Sequence, residues 1–215
     1  MAETSLQTNQ AGVQPESSRA AGNLVVITGP SGVGKGTVVE RLIAGVPGLS
    51  LSVSVTTRAR RPEETEAIDY FFCTSDQFQA LVDSGSLLEW AEFAGAFYGT
   101  PQQWVQAELR SGRDVILEIE VQGARQIQQK CPQAVLVFLS PPSFEALEER
   151  LTKRATETPE KIALRLKKAG EEIKQKHLFH YEVVNDNIDE AVNNLVHIIY
   201  AERSRIRNPS ENQSQ

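Results

Sequence analysis

The residues best suited to chemistry lie in one glycine-rich stretch, GPSGVGKGT, at 29–37. It matches the pattern G-x-x-x-x-G-K, in which consecutive backbone N–H groups surround a β-phosphate and the lysine reaches the β- and γ-phosphate oxygens. An apolar run precedes it and a helical pattern follows it, which argues against an ordinary glycine-rich turn. The stretch therefore predicts a loop for a nucleoside triphosphate, formed by Gly29, Pro30, Ser31, Gly32, Val33, Gly34, Lys35, Gly36 and Thr37.

The position after the lysine departs from the commonest form of this motif. Gly36 stands where a serine or threonine usually supplies a hydroxyl to Mg²⁺, and Thr37 comes one residue later. Mg²⁺ loses its water reluctantly and commonly keeps several water ligands when it binds phosphates. We therefore expect a Mg²⁺ ion held mostly by phosphate oxygens and water, without a strong direct protein ligand.

A second anion site is indicated by the polar stretch SVSVTTRARRPEETEAIDY at 52–70. Arg58 and Arg61 could converge on one phosphate, because guanidinium groups match phosphate oxygens in pairs and stay charged. Tyr70 and Tyr98 offer hydroxyl donors. A solvated basic loop is an equally open interpretation of the arginines alone.

Strand and helix patterns alternate through most of the chain, which predicts an α/β fold. A mainly parallel, five-stranded sheet covered by helices would place ligands beyond the carboxyl ends of its strands. The phosphate loop, 118–120, Ser140 and Asn185 follow such strands. The predicted core strands are 24–28, 51–55, 115–119, 134–139 and 181–184, and the predicted helices are 37–43, 102–109, 124–129, 143–151, one from Thr158, and 188–206.

Residues 70–100 contain short strand patterns at 70–72 and 87–90 around a helix at 76–82, and they predict a lobe inserted into the core. The polar stretch 152–157 is a candidate hinge. Residues 1–22 and 207–215 are polar and are expected to form a disordered N-terminal tail and a frayed C-terminal tail.

Composition narrows the class of protein. A net charge of −6 argues against general nucleic-acid binding, since a phosphate backbone selects a basic surface. No apolar stretch approaches the ~20 residues of a membrane span, and the N-terminus lacks the pattern of a secretion signal, so we expect a cytoplasmic protein. Cys73 and Cys131 lie far apart and are expected to be buried, reduced thiols. The sequence does not indicate an oligomeric state.

Several motifs in order make the chain resemble guanylate kinases from about residue 24 to 206. They are GPSGVGKGT, SVTTR followed by Arg61, Glu64 and Asp69-Tyr70, then LLEWAEF, YGT, LEIEVQGA, RATET and VVND. The resemblance implies a P-loop NTPase fold with an inserted GMP-binding lobe and a helical lid. It also implies transfer of the γ-phosphoryl group of ATP to GMP, and to dGMP. On this basis 23–206 form one domain, with core 23–53, 101–140 and 171–206, lobe 54–100 and lid 141–170.

The resemblance also assigns roles to individual residues. It places Arg58, Arg61, Tyr70 and Tyr98 on the GMP phosphate, and Ser54, Glu89, Gly99 and Thr100 around the base with Glu120 close by. It places Arg150, Arg154 and Arg165 on the donor side, and Glu118 near the waters of Mg²⁺. The family usually has aspartate in one or both acidic positions of Glu118-Ile119-Glu120, so the longer side chains affect fine geometry there. Asn185 is a candidate contact of adenosine because it ends the last predicted strand.

The chemistry of guanine agrees with this assignment. Its N1–H and N2 amino group are adjacent donors, and one carboxylate such as Glu89 can accept a hydrogen bond from each. The hydroxyls of Ser54 and Thr100 can donate to O6. Adenine presents an acceptor at N1, so the same carboxylate would face a lone pair. A mismatch of this kind can lower the rate by several orders of magnitude.

Phosphoryl transfer to a phosphate monoester needs no general base, because the second pKa of the acceptor is ≈ 6 and it is largely dianionic at neutral pH. Alignment and cations suffice, and Lys35 with the assigned arginines would supply them. Two other functions stay open: a catalytically silent guanylate kinase-like binding module, and a nucleoside monophosphate kinase of different specificity.

Overall fold

The computed structural model describes residues 21–93, 95–153 and 158–206. Arg154 and the predicted hinge residues 154–157 lie outside these ranges, as do the tails at 1–20 and 207–215. The strands are β1 (Leu24–Thr28), β2 (Leu49–Leu51), β3 (Ser54–Thr56), β4 (Tyr70–Phe72), β5 (Leu87–Phe93), β6 (Ala96–Pro101), β7 (Asp114–Glu118), β8 (Val135–Ser140) and β9 (Tyr181–Val184). The α-helices are α1 (Lys35–Gly45), α2 (Ser75–Asp83), α3 (Gln102–Arg110), α4 (Val121–Lys130), α5 (Phe144–Thr152), α6 (Pro159–Ile173) and α7 (Ile188–Arg203).

The central sheet confirms the predicted five-stranded parallel core. Its order is β2-β7-β1-β8-β9, and every pairing in it is parallel. One face packs on α1 and α7 through residues such as Leu42 and Leu195, and the other on α3 and α4 through residues such as Val105 and Ile127. Because both faces are covered, all five residues of β1 are buried. The carboxyl ends of the strands form one edge, where the predicted site residues meet.

A second sheet has the order β4-β3-β6-β5 and lies within residues 54–101. The prediction of one strand over 51–55 is wrong, since β2 belongs to the central sheet and β3 to the second sheet. Ser52 N still donates to Ile116 O, after which the chain leaves the core and pairs with β4 and β6. An alternating pattern of apolar and polar residues indicates an extended strand, but it does not indicate which strand is its partner in a sheet.

Helix ends follow local capping chemistry. The Ser143 hydroxyl accepts from Ala146 N at the start of α5, as predicted. Thr158 begins α6 with Pro159 at the first turn, but its side chain makes no cap hydrogen bond. Helix α7 ends at Arg203, earlier than the predicted 206.

Both cysteines are free, in keeping with the predicted reduced thiols, but each is only half-buried, so the prediction of buried thiols is wrong. Each thiol lies beside a cluster of buried residues rather than within it, Cys73 in the second sheet and Cys131 at the end of α4. Within the described ranges, no helix is long and apolar enough to cross a membrane.

Candidate active site

The loop between β1 and α1 has the geometry of a phosphate cradle. Gly32 and Gly34 have φ of 89° and 95°, a region that residues with a Cβ rarely adopt. Gly29 is required for another reason, because a Cβ there would overlap with the carbonyl oxygen of Leu139 in β8. The chain can therefore curl tightly at this position and start α1 at Lys35, with the N-terminal end of the helix facing the loop.

Lys35 lies across the loop that it follows. Its Nζ donates to the carbonyl oxygen of Gly29 over 2.6 Å, so the ammonium group is held at the mouth of the cradle. Gly36 lies at the start of the helix, where a Cβ would come within 3.9 Å of Glu118 Oε1. The loop lysine and an acidic side chain thus lie on the same side of the loop.

Three side chains from distant parts of the sequence contact the loop. Asn185, at the end of β9, donates from Nδ2 to Val33 O over 2.8 Å and is 6% exposed. Arg150 in α5 donates to Asn185 O over 2.9 Å and to Val33 O over 3.4 Å. Arg165 in α6 donates to Ser31 Oγ over 2.7 Å. Both arginines are half-buried, so they are not merely exposed helix charges. The contact of Asn185 with adenosine stays a prediction.

Arg58 is held by Glu64 rather than being free in solvent. Its NH2 and NH1 groups donate to the two oxygens of Glu64 over 2.6 and 3.0 Å, and Glu64 also accepts from the backbone N of Arg61 over 2.9 Å. The paired charges raise the pKa of Arg58 and lower that of Glu64. Glu64 therefore ties the side chain of one predicted phosphate ligand to the backbone of the other.

Two tyrosines lie on this predicted phosphate-binding side of the site. The guanidinium carbon of Arg58 lies 5.3 Å from the ring centroid of Tyr70, a cation–π distance. The rings of Tyr70 and Tyr98 meet edge to face with centroids 6.0 Å apart. Burial raises the pKa of the Tyr70 hydroxyl, so it stays a proton donor at neutral pH.

The predicted base-reading residues form a buried pair. Glu89 is 4% exposed and Thr100 is fully buried, and the Thr100 hydroxyl donates to Glu89 Oε1 over 2.6 Å. Burial raises the pKa of Glu89 to about 6, against the opposite effect of the Thr100 hydrogen bond. Gly99 lies between β5 and α2, and a Cβ there would come 2.8 Å from Leu87 Cδ1, so its lack of a side chain serves packing.

The acidic motif at 118–120 faces two lysines. Burial raises the pKa of Glu118, and the positive charge of Lys35 opposes that effect. Lys168 Nζ in α6 lies 3.4 Å from Glu120 Oε2, 3.6 Å from Glu172 Oε1 and 4.3 Å from the ring centroid of Phe93. Lys168 therefore links α6 to the second sheet and to the end of β7.

One cavity of about 400 Å³ joins these parts, and both Lys35 and Glu89 line it. Its lining also includes Ser54, Arg58, Arg61, Glu64, Tyr70, Tyr98, Glu118 and Glu120. The lining does not include Gly99, Thr100, Arg150 or Arg165. Across the described ranges, no group of three or more His, Cys, Asp or Glu side chains could hold a metal directly. Glu118 lies close enough to Lys35 for the lysine charge to affect its pKa, and a cation held there through phosphate and water stays a prediction.

The sequence matches the family model "Guanylate kinase" over residues 21–202, which is most of the chain. The chain belongs to the guanylate kinase family. It is 48% identical over 186 residues to a guanylate kinase of Synechococcus sp. (strain JA-3-3Ab), covering 86% of each chain. It is 50% identical over 179 residues to one of Trichodesmium erythraeum (strain IMS101), covering 83% of this chain and 96% of that one.

Solved structures agree with this membership. The crystal structure of guanylate kinase from Anaplasma phagocytophilum superposes with a TM-score of 0.72 at 32% identity, and the match covers 87% of this chain and 89% of that chain. The fold of the family is therefore the fold described above, with the predicted parallel core and phosphate loop.

Sequence reasoning gave no role to several residues that border this guanylate kinase site. Glu64 lies in an acidic pair directly after the arginines, and that alternation of charge is a signal of ion pairing. Lys168, Glu172 and Gln126 lie on helix faces whose neighbours are distant in sequence, so only the tertiary structure identifies them.

Proposed function

We propose that this chain is an ATP:GMP phosphotransferase, which transfers the γ-phosphoryl group of ATP to GMP and gives ADP and GDP, with dGMP as a second acceptor. The observation that carries the proposal is a cavity lined by both the loop lysine, Lys35, and the buried carboxylate of Glu89. A donor triphosphate and an acceptor purine could therefore meet in the same cavity.

On the donor side, the backbone of 29–37 would bind the ATP phosphates, with Lys35 at the β- and γ-phosphate oxygens. Arg150 and Arg165 already contact Val33 and Ser31 of this loop, so small changes in their side chains would bring them to the transferred group. We include Arg154 in this set from the family resemblance. Helix α5 and most of helix α6 lie within the proposed lid at 141–170.

On the acceptor side, Arg58, Arg61, Tyr70 and Tyr98 would bind the phosphate of GMP. Glu89 would accept the N1 and N2 protons of guanine, while Ser54 and Thr100 provide hydroxyls and Glu120 borders the base. The proposed lobe at 54–100 contains nearly all these residues. An adenine ring would place a lone pair against the Glu89 carboxylate, which disfavours AMP.

The chemical step then requires alignment and charge stabilisation. The acceptor phosphate is already largely dianionic at neutral pH, so no residue needs to remove a proton. Lys35, Arg58, Arg150 and Arg165 would offset the repulsion between two polyanions where charge develops. Mg²⁺, when bound with ATP, supplies further charge neutralisation; Glu118 would hold its water shell in place. Closure of the lid would exclude water, which would otherwise accept the phosphoryl group.

We further infer a cytoplasmic enzyme whose partners are small nucleotides rather than nucleic acid, in keeping with a net charge of −6 and the local character of the basic site. Cell fractionation with an antibody against this chain tests the location. Recovery in a membrane or secreted fraction would contradict it.

The experiment that tests the activity is a coupled ADP-release assay with GMP, dGMP, AMP and UMP as alternative acceptors. We expect turnover with GMP and dGMP and at least about 100-fold lower kcat/KM with AMP. Preference for AMP or UMP would indicate a kinase of other specificity. Absence of turnover with all four, with GMP binding retained in calorimetry, would indicate a catalytically silent binding module instead.

A further inference from the structure

Helix α4 contacts the strand that carries Glu89 at the position of the carboxylate itself. A Cβ added to Gly123 would overlap with Glu89 Oε2 and come 3.1 Å from Glu89 Cδ. The helical residue with no side chain is therefore the one that faces the buried carboxylate. Any larger residue at this position must displace Glu89 from the place where Thr100 holds it.

Strand β5 needs such support because its pairing is irregular at this position. It is an edge strand of the second sheet, and its register with β6 shifts between Leu87 and Trp90. Glu89 lies inside this shift, where a bulge redirects side chains and leaves main-chain groups without ladder partners. As a result three consecutive residues, Leu87, Leu88 and Glu89, are all buried.

Gln126 supplies the missing partner to the strand. Its Nε2 donates to Trp90 O over 2.6 Å, and its Oε1 accepts from Trp90 N over 3.2 Å. One primary amide thus replaces a neighbouring strand at the residue next to Glu89. Lys130, one turn further along α4, donates to Leu87 O over 3.3 Å. Positions 123, 126 and 130 share one face of the helix, so this face follows β5 across the irregular segment.

We propose that Gly123 and Gln126 are positioning residues for guanine recognition: Gly123 leaves the space that the Glu89 carboxylate occupies, and Gln126 fixes the strand from which Glu89 projects. The inference rests on the proposed function, since it concerns the same base-binding carboxylate. The inference adds that acceptor specificity depends partly on α4, a helix of the core, through residues that act by way of Glu89 rather than on the nucleotide directly.

Gly123→Ala tests the first part. Alanine favours a helix over glycine, and the displaced hydrogen bond of the buried carboxylate opposes this gain, so Tm should change little. The KM for GMP should rise about tenfold or more because Glu89 is displaced, while the KM for ATP stays within about twofold. Gly45→Ala is the matched control, a helical glycine whose Cβ would meet nothing within 4 Å. It should leave both KM values unchanged.

Two further measurements exclude an indirect effect. In a Glu89→Ala background, Gly123→Ala should not weaken GMP binding further in calorimetry, because the displaced group is gone. Gln126→Ala should raise the KM for GMP about threefold to tenfold, whereas Gln128→Ala should not, since Gln128 donates to Leu178 O on another side of the same helix.

The outcomes separate the two proposals. A wild-type chain that does not phosphorylate GMP would contradict the proposed function and this inference with it. A wild-type chain that is active with GMP, together with a Gly123→Ala variant of unchanged KM for GMP, would overturn this inference alone. A crystal structure of Gly123→Ala with Glu89 still bonded to Thr100 would overturn it as well.

Discussion

The Thr100 hydroxyl donates a 2.6 Å hydrogen bond to Glu89 Oε1 in a part of the cavity wall where both side chains are buried. This bond orients the carboxylate and favours its ionised form. Burial has the opposite effect, and the pKa of Glu89 lies at about 6 as a result. A carboxylate with this pKa is ionised at neutral pH but sensitive to mild acid.

The first prediction concerns the pH dependence of GMP binding. Only the ionised Glu89 can accept both adjacent protons of guanine, so the KM for GMP should rise as the pH falls through about 6. Thr100→Val removes the hydrogen bond that lowers the pKa, and the rise should then begin at a higher pH. Steady-state kinetics from pH 5 to pH 8 with wild type and variant provide the measurement.

The phosphate of GMP also titrates near pH 6, and this contribution is the same for both proteins. The difference between the two profiles therefore reports on Glu89 alone. If the profiles of wild type and Thr100→Val superpose after scaling, the assigned role of the Thr100 hydroxyl is wrong.

The second prediction concerns the pair of Arg58 and Glu64. Glu64→Gln keeps the size of the side chain but loses the charge that holds Arg58 in a two-point contact. Arg58 should then lose its fixed orientation, and the KM for GMP should rise about tenfold with little change in the KM for ATP. Initial rates with each nucleotide varied in turn separate the two constants.

Glu108→Gln is the matched control for this change. Glu108 binds Arg113 in the same two-point geometry, with both distances 2.6 Å, but neither residue lines the cavity. The KM of the Glu108→Gln variant for GMP should equal that of the wild type. Equal increases in both variants would point to general destabilisation instead of an oriented phosphate ligand.

The phosphate loop and the core sheet could be predicted from the sequence because their signals are local. Gly29 to Lys35 carry a fixed spacing, and β1 and β8 are short, mostly apolar runs next to polar residues. The break between β2 and β3 could not be predicted, because it depends on pairing with β7 on one side and with β4 and β6 on the other. The start of α4 at Val121, earlier than the predicted 124, also lacks a signal, since Glu120 makes no side-chain cap.

The site residues divide in the same way. Lys35 could be assigned from a local motif, and Arg58 and Glu89 from the resemblance to a family, with the chemistry of guanine in agreement for Glu89. Gly123, Gln126 and Lys168 could not, because their roles depend on which helix face meets which strand. The glycine alone does not indicate that a carboxylate from a distant strand fills the space beside it.

The third prediction concerns the donor side. Lys35→Ala removes the ammonium group at the mouth of the phosphate loop, where charge develops during transfer. The kcat should fall about 10²–10⁴-fold, while the Kd for GMP in calorimetry changes less than about threefold. Arg165→Ala should lower kcat in the same direction, since its guanidinium contacts Ser31 of the loop. Near-normal turnover of Lys35→Ala would contradict its role.

The last prediction concerns Glu172, a buried carboxyl in α6 that lies near Glu120 and 3.6 Å from Lys168. Burial, followed by the negative charge of Glu120, raises the pKa of Glu172 to about 7 from an ordinary value of 4.5. Between these values the folded protein keeps a proton that the unfolded chain releases, so the free energy of unfolding falls as the pH rises from about 5 to 7 and is then level.

Glu172→Gln should remove this decrease in the free energy of unfolding between pH 5 and 7. The variant should match the wild type in urea unfolding at pH 5 and exceed its free energy of unfolding by about 1–3 kcal/mol at pH 8, the lower end applying because Lys168 already stabilises the charge. Glu171→Gln, the exposed neighbour on the same helix, is the control and should gain nothing between the two pH values. A Glu172→Gln variant less stable than the wild type at pH 8 would show that Glu172 stabilises the fold as a charged partner of Lys168.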